Sequence, residues 1–176
     1  PATVLERITV VTDMDDALGG ADYVQENVPE DLEVKRALWP TLDAQAPASA
    51  VLASSTSAIL PSAFTEDLPG RARCLVAHPI NPPYLVPAVE VVPAPWTDQE
   101  TVDRAAAMMR AIGQSPIVMK REIDGFTPYR RCEVDWSGFE RDLGKPETDG
   151  AFDRGPFMDL LSRYFASQDL STDWES

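Results

Sequence analysis

The 176 residues carry 15 basic and 29 acidic side chains, a formal net charge of -14, and 44 % hydrophobic residues. That length suffices for one domain with its own core, and no apolar stretch approaches the roughly 20 residues of a membrane-spanning helix. So acidic a surface repels phosphate backbones and anionic lipid, which argues against nucleic-acid and membrane partners, although local backbone amides still hold a small anion against that field.

The opening PATVLERITVV lacks the ordered basic, apolar and cleavage regions of a signal peptide, and it lacks an initiator methionine. The expectation is a chain that starts within a gene or after processing. Residues 8–12, ITVVT, form a β-branched run that predicts a short strand. A short helix follows over DMDDAL, with Gly19–Gly20 as its stop rather than a phosphate loop, and then a strand over Tyr23–Val28. PEDLEVKRALWPTLDAQAP reads as a helix with Leu32, Leu38 and Leu42 near one face, and Pro40 is expected to kink or split it.

AVLASSTS is the next strand, running into a polar tip, followed by a brief helix and loop in AILPSAFTEDLPGRA. RCLVAHPI is a further strand, and PAVEVVPAP is strand-like, its prolines suggesting an edge or a strand end. TDQETVDRAAAMMRAIG carries the strongest helix signal, with a Thr/Asp start and Gly113 as stop, and QSPIVMK closes the series as a strand. Short strands joined through helices predict an α/β fold with a mostly parallel, partial Rossmann-like sheet over residues 1–126. Residues 127–176 form a divergent tail in which 156–170 has the apolar spacing of one amphipathic helix.

In parallel α/β sheets ligands sit beyond the carboxyl ends of the strands. Here those ends carry ENVPE, SSTS and AHPIN, and the last contains His78, the one histidine of the chain. On the residues alone, a lone histidine at a strand end is more often structural than catalytic, and Glu90 reads as a solvent-facing residue of an edge strand. One histidine and two separated cysteines, Cys74 and Cys132, give no metal-ligand spacing, so no metal is expected. Two reduced thiols in a cytoplasmic protein are expected over a disulfide.

Four blocks in order, ADYVQENVPEDLEVKRALWPTLD, VLASSTSAILPS, VAHPINPPYLVPAVEVVP and AIGQSPIVMKREIDGF, resemble the 3-hydroxyacyl-CoA dehydrogenase family, closest to its L-gulonate 3-dehydrogenase (lambda-crystallin) branch. The likeness covers about residues 8–126. It implies NAD as cofactor and oxidation of the 3-hydroxyl of a small hydroxy acid such as L-gulonate, or of a 3-hydroxyacyl-CoA. By the same resemblance His78 is the general base and Glu90 its orienting carboxylate, since a neutral imidazole accepts a proton near pH 7 and a carboxylate stabilises the imidazolium that forms. Ser57 and Asn81 match polar residues around the substrate and nicotinamide, and Glu30 and Lys35 match positions that approach the cofactor. On the residues alone, Glu30 and Lys35 read equally as the exposed first turn of a helix.

The chain departs from the resemblance in two places. No GxGxxG turn occurs in it, so the first glycine-rich βαβ unit, which supplies the helix N-terminus under the pyrophosphate, is not among these residues. After DGF the family continues with an asparagine-arginine helix, whereas here TPYRR follows, with Tyr129 at the asparagine position. The isolated chain is therefore expected to be weakly active or inactive. The competing readings are a non-catalytic interaction module or a subunit completed by another chain, with self-association sealing the open sheet edge, and a gene fragment without a role.

Overall fold

A computed structural model describes residues 2–84, 86–122 and 134–135. Two short helices, α1 (Ala2–Leu5) and α2 (Met14–Leu18), precede strand β1 (Tyr23–Glu26) and the long helix α3 (Leu32–Gln45). Strand β2 (Val51–Ser54), helix α4 (Ser62–Thr65) and a 3-10 turn (Arg71–Arg73) lead into β3 (Cys74–Pro79). Then come β4 (Ala88–Pro93), α5 (Gln99–Ala111), β5 (Ser115–Met119) and the two-residue β6 (Val134–Asp135). The strands lie in chain order in one sheet, with β1–β2, β2–β3 and β4–β5 parallel and β3–β4 and β5–β6 antiparallel. This is the expected α/β, mostly parallel sheet.

Local chemistry sets the helix ends. Asp13 caps α2 by accepting from the Asp15 and Asp16 amides, and Asp31 caps α3 by accepting from those of Glu33 and Val34. The amide of Gly19 bonds the Asp15 carbonyl, which closes α2 at the predicted glycine. At the end of α5, Gly113 donates to the Arg110 carbonyl and Gln114 to that of Met109, the paired bonds of a Schellman motif. Gly113 sits at φ +85° to allow it.

Alternation along the strands builds two cores. Leu52, Cys74, Val76, Ala88 and Val92 face α3 and α4, where Trp39, Leu42 and Phe64 complete the packing, while Leu38 and Leu32 lie against its margin. The Trp39 and Phe64 rings meet at 4.7 Å between centroids. On the other face Val51, Ala53, Leu75, Ala77, Val89 and Val91 pack on Val102, Ala105 and Met109 of α5. Cys74 is a free, buried thiol whose pKa is pushed up to about 12, chiefly by burial; Cys132 lies outside the described residues.

Three sequence expectations need correction. Residues 8–12 form no strand: Ile8 and Val10 are exposed, β1 is the sheet edge, and a β-branched run without a neighbouring ladder has nothing to pair with. Helix α3 is not split at Pro40 but runs on as one element, held down by buried Trp39 and Leu42 on either side of the proline. Strand β4 is interior, between β3 and β5, because Pro87 precedes it and Pro93 is its last residue, leaving the amides between them to bond. The proposed helix at 156–170 and Tyr129 lie outside the described residues, whereas β6, within the tail segment, pairs with β5 of the sheet.

An added Cβ at Gly113 or at Gly20 meets nothing within 4 Å, but only Gly113 has a positive φ. Gly113→Ala is therefore expected to cost about 1–2 kcal/mol through backbone strain alone, while Gly20→Ala stays within about 0.5 kcal/mol. Urea midpoints of the two variants check this, and equal midpoints would refute the strain argument.

Candidate active site at the strand ends

Parallel β1, β2 and β3 end on one rim of the sheet, so the loops that follow them share that rim. These loops carry Glu30, Ser57 and Asn81, all exposed, and His78 is the penultimate residue of β3.

The antiparallel register of β3 and β4 sets His78 opposite Glu90. Directly opposed residues of an antiparallel pair point to the same face, and His78 Nδ1 lies 2.8 Å from Glu90 Oε2. The two side chains are 10 % and 1 % exposed. Burial lifts the Glu90 carboxyl above the usual carboxylate range, against the opposing pull of its hydrogen bond and charge contact with His78. With Glu90 ionised, this bond requires a proton on Nδ1, and the neutral ring then carries its basic lone pair on Nε2. The solvent-facing, edge-strand reading of Glu90 is thus overturned.

Glu30 reaches across from the loop after β1 to the loop after β2. Its Oε1 accepts from the Thr56 hydroxyl and from the amides of Ser57 at 3.1 Å and Ala58 at 3.0 Å. Burial raises its pKa, but these hydrogen bonds, with the charge of Lys35, outweigh that and hold the carboxyl below its usual range. Ser57 is thereby fixed through its backbone, leaving its hydroxyl on the rim.

Lys35 is placed differently from the expectation. It is fully buried, on the same helical stripe as Trp39 and Leu42, and its ammonium bonds both Glu26 oxygens and the Ser54 hydroxyl. Neither an exposed first turn nor direct contact with a cofactor suits a side chain with no accessible surface. Sequence reasoning passed over Glu26, Ser54 and Thr56. The signal for Glu26 was its parity with Val24 on the buried face of β1; that for Lys35 was its i, i+4, i+7 spacing with Trp39 and Leu42.

The family model for the 3-hydroxyacyl-CoA dehydrogenase NAD binding domain matches residues 1–123. The chain belongs to this family. Its residues are 52 % identical over 126 positions to a lambda-crystallin homolog of Bos taurus, covering 72 % of this chain and 39 % of that one. They are 42 % identical over 131 positions to an L-carnitine dehydrogenase of Streptomyces griseus, covering 74 % and 39 % of the two chains. The crystal structure of a 3-hydroxybutyryl-CoA dehydrogenase from Escherichia coli K12 superposes with a TM-score of 0.68 at 32 % identity, over 71 % of this chain and 26 % of that one. The chain spans about two-fifths of the length of the curated relatives it matches.

The matched family domain is an NAD binding domain, so the cofactor is NAD. The rim residues suit its nicotinamide side: a buried imidazole-carboxylate pair beside backbone amides and exposed hydroxyl and amide side chains. The glycine-rich turn that takes a pyrophosphate is not in the sequence. Among the described residues, no group of three or more His, Cys, Asp and Glu is placed to hold a metal ion, and no helix is long and apolar enough to cross a membrane.

Because its folded-state pKa is raised, Glu90 contributes most to stability when protonated, and that contribution is lost as pH rises through the folded value. Glu90→Gln is accordingly expected to gain stability relative to the parent chain as pH rises above the ordinary Glu range of about 4. Urea midpoints of both chains across that rise measure the gap, and a gap that stays constant or shrinks contradicts the assignment.

Proposed function

We propose that this chain is the nicotinamide-side part of an NAD-dependent dehydrogenase that oxidises the 3-hydroxyl of a small hydroxy acid or of a 3-hydroxyacyl-CoA. The 2.8 Å contact between His78 Nδ1 and Glu90, buried at the ligand-facing end of the sheet, carries this reading. The relatives' names cover L-carnitine and 3-hydroxybutyryl-CoA, which share a secondary alcohol on the third carbon, counting the acid or thioester carbon as the first. L-gulonate is the favoured small acid, on the likeness of AHPINPPY to the lambda-crystallin branch.

NAD, when bound, supplies the hydride acceptor. His78 takes the hydroxyl proton at Nε2, while Glu90 holds the ring through Nδ1 and stabilises the imidazolium. In a site this dry that stabilisation exceeds what the pair would give in water. Ser57 and Asn81 orient the hydroxyl and the forming carbonyl from the two flanking loops, and Glu30 holds the Ser57 loop for the cofactor. Residues 1–126 act as the cofactor domain in this reading, and the tail 127–176 adds β6 to its sheet.

One observation favours a second reading, a domain completed by another chain. Ile8, Val10, Met108 and Ile112 are exposed apolar residues. A cavity of about 480 Å³ lined by Tyr23, Pro79, Val89, Met108 and Ile112 lies between α5 and strands β1, β3 and β4. Cofactor held only on its nicotinamide side is bound and oriented poorly, since remote contacts contribute to the transition state.

The test is NADH formation by the chain with NAD and either L-gulonate or 3-hydroxybutyryl-CoA. Weak turnover is expected, falling at least about 100-fold in His78→Ala. Turnover that His78→Ala retains contradicts the general-base role, and parent turnover near the enzyme median of about 10 per second contradicts the incomplete-site reading.

A further inference from the structure

Beneath the rim lies a buried ion pair that the proposed chemistry does not use. Lys35 Nζ is 2.9 Å from Glu26 Oε2 and 3.0 Å from Oε1, and both side chains are 1 % exposed. The Ser54 hydroxyl donates to Glu26 Oε2 at 2.6 Å, and the Trp39 indole donates to the same oxygen at 3.3 Å. Two backbone amides then leave the cluster. That of Val28 donates to Glu26 Oε1 at 2.6 Å, and that of Thr56 to Ser54 Oγ at 3.2 Å. Val28 begins the turn to Glu30, and Thr56 begins the turn to Ser57.

Each loop is therefore tied twice: from below to the ion pair, and from above to the other loop through Glu30. A charged pair with every partner supplied is an expensive way to fill a core, because apolar residues of similar size usually stabilise at least as well. What an apolar replacement cannot do is accept the Val28 amide, or hold by hydrogen bonds the Ser54 hydroxyl that accepts the Thr56 amide. We propose that Glu26 and Lys35, with Ser54, are positioning residues that set the two rim loops in register, so that Glu30 and the Ser57 backbone meet the cofactor preformed. This rests on the NAD site proposed above and extends it to buried residues beneath the rim.

The decisive variant is the double Glu26→Leu/Lys35→Met chain, which removes both charges without stranding either. Its melting temperature is expected to stay near the parent's, while amide hydrogen exchange at Val28, Thr56, Ser57 and Ala58 accelerates about tenfold or more and NADH affinity, followed by fluorescence, falls about tenfold. A folded double variant with parental exchange and parental NADH affinity overturns the proposal. If the double variant does not fold, Ser54→Ala decides: it removes the acceptor of the Thr56 amide together with that hydroxyl's bonds to Lys35 and Glu26, and leaves the Val28 branch in place; unchanged exchange at Thr56 and Ser57 overturns the proposal equally. A parent chain that binds no NADH, with the exchange response intact, would remove the cofactor reading on which the positioning role rests, and the role with it.

Discussion

The site depends on the register of one antiparallel strand pair. β4 runs back along β3, and Cα pairing sets His78 against Glu90, Ala77 against Val91 and Val76 against Val92. A slip of one residue would turn Glu90 into the α5-facing core and leave the imidazole against an aliphatic neighbour. The cores on both sheet faces resist that slip: Val76 and Val92 pack toward α3 and α4, Val89 and Val91 toward α5. The His78–Glu90 geometry is therefore held by the same apolar alternation that holds the fold.

Burial gives the pair its chemical character. Glu90, at 1 % exposed, has no solvent to stabilise its charge beyond what His78 supplies. The neighbouring Glu26–Lys35 pair lies on the same sheet face and solves the problem differently, by satisfying every charge internally. One acid is left in want of a cation and the other is not, which separates a group suited to proton chemistry from one suited to support.

Much of this was legible in the residues. The order of strands and helices from Tyr23 to Met119 followed from periodicity, caps and glycine stops, and the rim from the polar ends of apolar strands. His78 and Glu90 were brought together by resemblance, not by spacing, because an antiparallel return between two strands of an otherwise parallel-looking series leaves no local mark. The strand expected at residues 8–12 failed since β propensity needs a partner ladder, which local sequence does not report. Lys35 was misread as exposed for a related reason: its charge spoke for the surface, and the partner that lets it be buried, Glu26, sits nine residues away on another element.

The most direct test of the account uses the fact that the chain has one histidine. Imidazole ¹⁵N NMR signals of His78 would be recorded during an NADH titration. The account predicts a neutral ring protonated on Nδ1, with resonances that shift saturably as NADH is added. A ring protonated on Nε2 instead, or signals that never respond to NADH, would contradict the claim that this rim is the nicotinamide side of a dehydrogenase site.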